Sequence, residues 1–266
     1  MRATKNKDKY LQLEKKFLKN GYVKFKANKI LLNSLVKQIK GYIVKYTKIK
    51  NPNLKNFHNQ LQVSKLNSLR IKIYDELNKS KNFQENLHFI GEKSIEQMVG
   101  SEFVRGNLNL SIQYPGDKNS LLSAHTDFFS GESIFQINLW IPFVDVKKTS
   151  SMFIINPIKS LKLLKKIKNS SKFTMDKIFK DAKKDIRWIP LKFGEYIIFS
   201  PNCLHGNVTN QEKISRWSIN VRYKNLFSPY SKIRENEKKI GTFYNKINPK
   251  IVTKFNMFYD FDELIK

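Results

Sequence analysis

The sequence predicts a mainly β fold, a sandwich or jelly-roll barrel flanked by helices, and three observations carry that prediction. The apolar period is helical over most of the first hundred residues and shortens to two from about Asn107. Several short alternating segments follow, separated by turn residues, as in an antiparallel barrel. The 266 residues are 40% hydrophobic and 13% aromatic, enough for one large core and too apolar for a disordered chain. No linker marks a boundary, so one domain over 1–266 is expected. It divides into a mainly helical part over 1–106, a barrel core over 107–225 with a helical insertion over 158–182, and an extension over 226–266.

The elements follow in order. Tyr10, Leu11, Leu13, Phe17 and Leu18 mark a helix over 8–20 that stops at Asn20-Gly21, and 22–25 reads as a short strand. A second helix spans 30–46 and a third 64–77, with Leu66, Leu69, Ile73 and Leu77 on one side. Between them, 48–62 holds Asn51-Pro52-Asn53 and reads as a long loop. Strands are expected over 108–113, before the Pro115-Gly116-Asp117 turn, and over 134–143 and 152–155. After the insertion they resume over 186–188, 195–199, 205–209 and 216–223, and an amphipathic helix is expected over 255–265. Loops at 48–62, 91–106 and 128–133, with the tail after Ser228, would surround the barrel mouth.

Fifty Lys and Arg against 22 Asp and Glu give a net charge of +28, and 43 of the basic residues are lysines. They are scattered along the chain and concentrate in no basic helix or arginine-rich arm, so no specific nucleic-acid partner is expected; an anionic small substrate is compatible. The single cysteine, Cys203, excludes an intramolecular disulfide and a cysteine-only zinc site, and suits a reducing compartment. The first residues lack an apolar leader core and the longest apolar runs, such as 196–199, fall far short of a bilayer span. A cytoplasmic protein without a membrane partner is therefore expected.

Of four histidines, two stand in a chemical pattern. In an extended His125-Thr126-Asp127 the imidazole and carboxylate point the same way and can converge on one ion, and His205 follows the 195–199 strand. Two imidazoles and a carboxylate on one face leave three coordination positions open, the facial arrangement of non-heme iron oxygenases. Eleven residues after His205, the segment 216–223 alternates strictly, with Trp217, Ile219, Val221 and Tyr223 facing one way and Arg216, Ser218, Asn220 and Arg222 the other. Arg216 suits a buried role, because a guanidinium grips a carboxylate bidentately and the Ser218 hydroxyl can add a bond. Arg222 either joins it or faces solvent. His58 and His88 read as loop and helix-end residues, and lone Cys203 as a small core residue rather than a ligand.

Taken together, Pro115-Gly116-Asp117, His125-Thr126-Asp127, the segment 137–142, Gly194-Glu195-Tyr196 and His205-Gly206-Asn207 followed by Arg216-Trp217-Ser218 resemble the iron(II)/2-oxoglutarate-dependent dioxygenases. The wording is similar to the phytanoyl-CoA-dioxygenase-like branch and, within it, to oxygenases of carbohydrate and aminoglycoside-type biosynthetic clusters. The resemblance covers 107–225. It implies a cupin-like double-stranded β-helix with Fe(II) held by His125, Asp127 and His205. It implies that Arg216, helped by Ser218, binds the distal carboxylate of the co-substrate 2-oxoglutarate, with Gln113 and Asn138 as further co-substrate contacts. The implied activity consumes O2, converts 2-oxoglutarate to succinate and CO2, and hydroxylates a C–H bond or oxidises it in a related way. The expected substrate is a small molecule such as a carbohydrate or nucleotide-linked sugar. The same chemistry on a lipid, acyl or peptide substrate, and a non-catalytic jelly-roll binding module, are the alternatives.

Overall fold

The computed structural model describes residues 2–168, 180–232, 237–248 and 250–256. The chain begins with helix α1 (Arg2–Asn20), strand β1 (Tyr22–Lys26) and helix α2 (Lys29–Tyr46). Gly21 turns the chain between α1 and β1 at φ +80, where a Cβ would also stand 2.6 Å from the Cys203 sulfur. Asn28 caps α2, its Oδ1 accepting from the Ile30 and Leu31 amides at 2.9 and 3.3 Å. Leu32, Leu35, Ile39 and Ile43 form the buried stripe of α2, and Leu66, Leu69, Ile73 and Leu77 that of α3 (Val63–Lys79).

A fourth helix, α4 (Lys81–Val99), starts at the Ser80 cap, whose hydroxyl accepts from the Phe83 amide at 3.2 Å. It corrects two expectations: His88 lies within a helix rather than near its end, and 91–106 is no mouth loop. That segment is the second half of α4 followed by strand β2 (Phe103–Gly106). The buried side of α4 includes Gln84, Gly91 and Ser94 among Phe83, Leu87, Ile90 and Ile95, which dilutes its apolar period.

The remaining strands are β3 (Asn109–Gln113), β4 (Gln136–Pro142), β5 (Phe153–Ile154), β6 (Arg187–Trp188), β7 (Glu195–Phe199), β8 (His205–Gly206), β9 (Arg216–Asn225) and β10 (Tyr244–Asn248). The main sheet runs β1-β7-β4-β9-β2-β10, entirely antiparallel, and β3 pairs with the first half of β9. The remaining strands form a small second sheet, β6-β5-β8. Two sheets with helices on the outside of the larger one make the cupin-like jelly roll that was expected. Strands β2 and β10 widen the main sheet beyond the expected 107–225 core. The anticipated strand over 205–209 is reduced to two residues. Helix α5 (Pro157–Lys168) opens the expected insertion; the rest of that expectation over 169–179, and most of the C-terminal helix over 255–265, lie outside the described residues. Just before the latter, helix α6 (Ile251–Asn256) is described.

Strand β9 divides the molecule chemically. Trp217, Ile219, Val221 and Tyr223 are fully buried on the side where α4 packs against β4 and β9. The other side faces the barrel interior, and register sets Gln113 opposite Arg216, Ser111 opposite Ser218, and Asn138 opposite Arg222. A polar interior between two apolar layers needs a reason, because each buried polar group lacking a partner is costly.

Candidate metal centre

The two histidines meet through the backbone. His125 and His205 exchange both backbone hydrogen bonds at 3.0 Å, an isolated antiparallel bridge joining the segment after β3 to β8. Their rings lie 4.3 Å apart between centroids. Gly206 makes the approach possible, since a Cβ there would fall 2.6 Å from the Leu122 carbonyl oxygen and 2.9 Å from that of Ser123. Asp127 enters from its own turn, with its amide donating to the Pro201 carbonyl at 3.0 Å. One donor atom from each of His125, Asp127 and His205 lies within 4.8 Å of the others.

Each donor is oriented. His125 Nδ1 stands 2.7 Å from the Ser123 carbonyl and His205 Nδ1 2.9 Å from that of Cys203. A carbonyl only accepts, so Nδ1 carries the proton and Nε2 presents its lone pair. Both Nε2 atoms face Asp127 Oδ1, at 3.4 and 3.6 Å. The other carboxylate oxygen, Oδ2, accepts from Asn138 Nδ2 at 2.9 Å and from Arg222 at 3.0 to 3.1 Å. Asn138 thus sits on the carboxylate rather than reaching a co-substrate alone, and Arg222 is an interior residue, not a solvent-facing one.

The electrostatics follow the geometry. Burial opposes charge on Asp127, yet His125, Arg222 and His205 outweigh it and hold the carboxyl well below its ordinary range. Burial lowers His205 to about 4, so this imidazole is neutral, as a ligand must be. For His125 burial acts the same way, but Asp127 and the Ser123 carbonyl prevail and raise it. Behind Asp127, Glu132 pairs with Arg222 at 2.5 Å and with Lys238 at 3.7 Å. Burial pushes its carboxyl up to about 7, with Arg222 opposing the shift and Asp127 adding to it.

A cavity of about 470 Å³ contains the cluster and is lined also by Arg216, Asn220, Arg222 and Glu132. Arg216 is 2% exposed and, among the described residues, makes no ion pair and has one acceptor, the Ser111 hydroxyl at 3.1 Å from Nη2. Burial with no counter-charge brings it down to about 10. Its Nε has no hydrogen-bond partner among the described residues, and the same holds for Ser218 Oγ, Gln113 Oε1 and Asn138 Oδ1. Gln113 is anchored by its amide nitrogen, which donates to the Val208 carbonyl at 2.7 Å. No hydrogen bond joins Ser218 to Arg216; Ser111, on the facing strand, makes one. Ser111 shares the alternation of Gln113, two residues on, and that spacing was the signal for it. Glu132 and Lys238, by contrast, lie outside any period.

The group implied by the resemblance fits these residues. Two imidazoles whose Nε2 atoms converge on one ionised carboxylate oxygen suit a divalent transition metal, which would take the place of the proton that Asp127 favours on His125. The unpartnered guanidinium, hydroxyl and carboxamide atoms suit a small anion beside it. Of the other expected residues, His58 lies apart, its Nδ1 2.8 Å from Ser215 Oγ. Cys203 is buried, raised to about 11, and serves through its carbonyl, not its thiol. No helix among the described residues is long and apolar enough to cross a membrane.

No protein-family model matches the chain, and no curated protein matches it in sequence. Solved structures do match in fold. The non-heme monooxygenase ThoJ, in its apo form, superposes with a TM-score of 0.58 at 13% identity, over 93% of each chain. The non-heme alpha-ketoglutarate-dependent carbocyclase SnoK from nogalamycin biosynthesis has a TM-score of 0.56 at 13% identity, over 88% of this chain and 93% of its own. HygX from Streptomyces hygroscopicus, with nickel and 2-oxoglutarate bound, has a TM-score of 0.53 at 7% identity, over 89% of this chain and 97% of its own. The chain therefore has the cupin-like fold of the non-heme 2-oxoglutarate-dependent oxygenases.

Proposed function

From that fold and from the donors it brings together, we propose that the protein is a cytoplasmic Fe(II)- and 2-oxoglutarate-dependent oxygenase. It couples conversion of 2-oxoglutarate to succinate with C–H hydroxylation, or a related oxidation, of a small molecule. A carbohydrate or nucleotide-linked sugar is the substrate class. One observation carries the reading: a buried Arg216, without an ion pair among the described residues, lines the same cavity as His125, Asp127 and His205. A buried guanidinium without a counter-charge is a standing cost unless an anion joins it, and a dicarboxylate that also reaches a metal meets that need.

Bound Fe(II) supplies the activation of dioxygen, the oxidative decarboxylation of 2-oxoglutarate and the removal of hydrogen from the substrate. The chain's residues do the positioning. His125 and His205 present Nε2 in a fixed tautomer, and Asp127 presents Oδ1 while Asn138 and Arg222 retain Oδ2. Arg216 Nε and the Ser218 hydroxyl receive the distal carboxylate of 2-oxoglutarate, with Ser111 keeping the guanidinium planar to it. The apolar layer of Trp217, Ile219 and Val221 keeps water from the back of the sheet.

Anaerobic titration of Fe(II) and 2-oxoglutarate, read by the metal-to-ligand charge-transfer band and followed by a succinate assay on admitting oxygen, tests the reading. The band should vanish in His125→Ala, and Arg216→Ala should weaken 2-oxoglutarate binding by at least about tenfold. Folded, iron-loaded wild-type protein that gives no band refutes it.

A further inference from the structure

A second cavity, of about 630 Å³, lies between α3, β3 and the turn after β3. It shares two wall residues, Ser111 and Leu122, with the metal cavity, whereas three other large cavities share none. A substrate that delivers a C–H bond to His125, Asp127 and His205 must occupy a space continuous with them. The second cavity adjoins theirs along Ser111 and Leu122.

Its walls are chemically uneven. Ser64, Asn67 and Arg70, at i, i+3 and i+6, stand on one face of α3. Across from them, Asp117 is consumed by its own turn, one oxygen accepting from the Asn119 amide at 2.8 Å and the other from the Ser120 hydroxyl. Arg70 is different. Its Nε and Nη2 both donate to Asn67 Oδ1, at 3.1 and 2.8 Å, and it makes no ion pair among the described residues. Arg70 and Asp117 thus give the cavity one charge of each sign; Arg70, held by a neutral carboxamide and free of a carboxylate among the described residues, is the group placed to take an anion, and the remaining polar groups are hydroxyls and carboxamides. Leu121 and Leu122 add apolar surface at the rim, 42% and 54% exposed. The rim is built in advance. Asn207 Oδ1 accepts from the Leu122 amide at 2.7 Å and the Asn207 amide donates to the Leu122 carbonyl at 2.9 Å, tying the turn to the residue two beyond His205.

We propose that this cavity is the substrate chamber of the oxygenase read above, and that it takes a hydroxylated anion of the sugar-phosphate or sugar-acid type with the anionic group on Arg70. The inference rests on that reading for the word substrate, and on the cavity alone for the ligand. Hydroxyl and carboxamide side chains match a polyol, leucines match its C–H faces, and a guanidinium held in place by Asn67 matches phosphate or carboxylate.

Saturation-transfer NMR on the full chain loaded with Zn(II) and 2-oxoglutarate tests it, using glucose 1-phosphate, glucuronate and glucose as probes. A charged probe should bind at least about tenfold more tightly than glucose, and Arg70→Gln should remove that advantage. Asn67→Leu, which keeps the charge but frees the guanidinium, should remove part of it. The phosphate and the acid are ranked by their own affinities. Absence of binding by either charged probe, or equal binding by Arg70→Gln, overturns the proposal, as does an Arg70→Gln protein whose only defect is for 2-oxoglutarate. The Fe(II) charge-transfer band in the same preparation separates the two readings. A band without probe binding defeats the chamber alone, whereas Arg70-dependent binding without a band supports the ligand site and defeats the oxygenase.

Discussion

At the residue scale the centre is governed by how Asp127 is held. Its Oδ1 faces two imidazoles while Oδ2 is occupied by Asn138 and Arg222, so the carboxylate offers one oxygen and leaves the remaining positions around an ion open. Asn138→Ala removes a neutral anchor and should weaken Ni(II) binding by about 10- to 100-fold in a calorimetric titration, with little change in unfolding midpoint. Glu132 gives a pH signature. Its folded value of about 7 lies above its ordinary 4.5, so between those values the folded state keeps a proton that the unfolded state has released. Its contribution to stability is complete below 4.5 and is lost as the pH rises through 7. His205, depressed to about 4, works in the opposite sense between 4 and 6.5, in wild type and variant alike. The melting temperature of metal-free Glu132→Gln should therefore fall less, or rise more, than that of wild type between pH 5 and 8. The cluster of His125, Asp127 and His205 was legible because the first two share a face by spacing and an alternating strand follows the third. What was not legible is depth. Alternation gives the side on which Asn138 and Arg222 stand, but not that both end on Asp127, and Glu132 sits in a turn with no period at all.

Among the elements, the short ones fix the site. β8 has two residues, yet it joins both histidines and carries Gly206 where two carbonyl oxygens would otherwise meet a Cβ. Because both obstacles are backbone, Gly206→Ala must displace the segment before His125. It should cost about 1–3 kcal/mol in urea unfolding and weaken Ni(II) binding more than Asn138→Ala does. The contrast in legibility has a physical basis here too. α2 and α3 were evident because their buried stripes are purely aliphatic. α4 was read only as a helix ending near His88 because its buried face admits Gln84, Gly91 and Ser94, each with its own partner or close neighbour, which blurs the 3.6-residue period. β2 holds a buried Arg105 answered by Gln84, and β10 pairs through Tyr-Asn-Lys-Ile-Asn, so neither looks like a strand until the other strands are in place.

Over the whole molecule, the +28 charge and the site's chemistry are separate matters. The cations of the interior have local surroundings of their own: Arg216 faces the cavity, Arg222 holds Asp127 and Glu132, Arg105 donates to Gln84, and Lys224 donates to the carbonyls of Asn225 and Ser228. The excess resides instead in lysines spread over the surface, few of which meet a carboxylate. Such a charge repels itself at long range, and screening relieves the repulsion once the Debye length falls to about 10 Å near 0.1 M salt. The melting temperature should accordingly rise between 20 and 200 mM NaCl, in wild type and in Arg216→Ala by the same amount. The same lysines will hold duplex DNA at low salt, because counterion release rewards any basic surface. That binding should be equal for unrelated sequences and fall steeply with the logarithm of salt concentration, and neither Fe(II) nor 2-oxoglutarate should alter it. Sequence-selective binding that persists at about 200 mM salt would show that the lysines form a recognition surface after all, and would reopen the assignment of the charge.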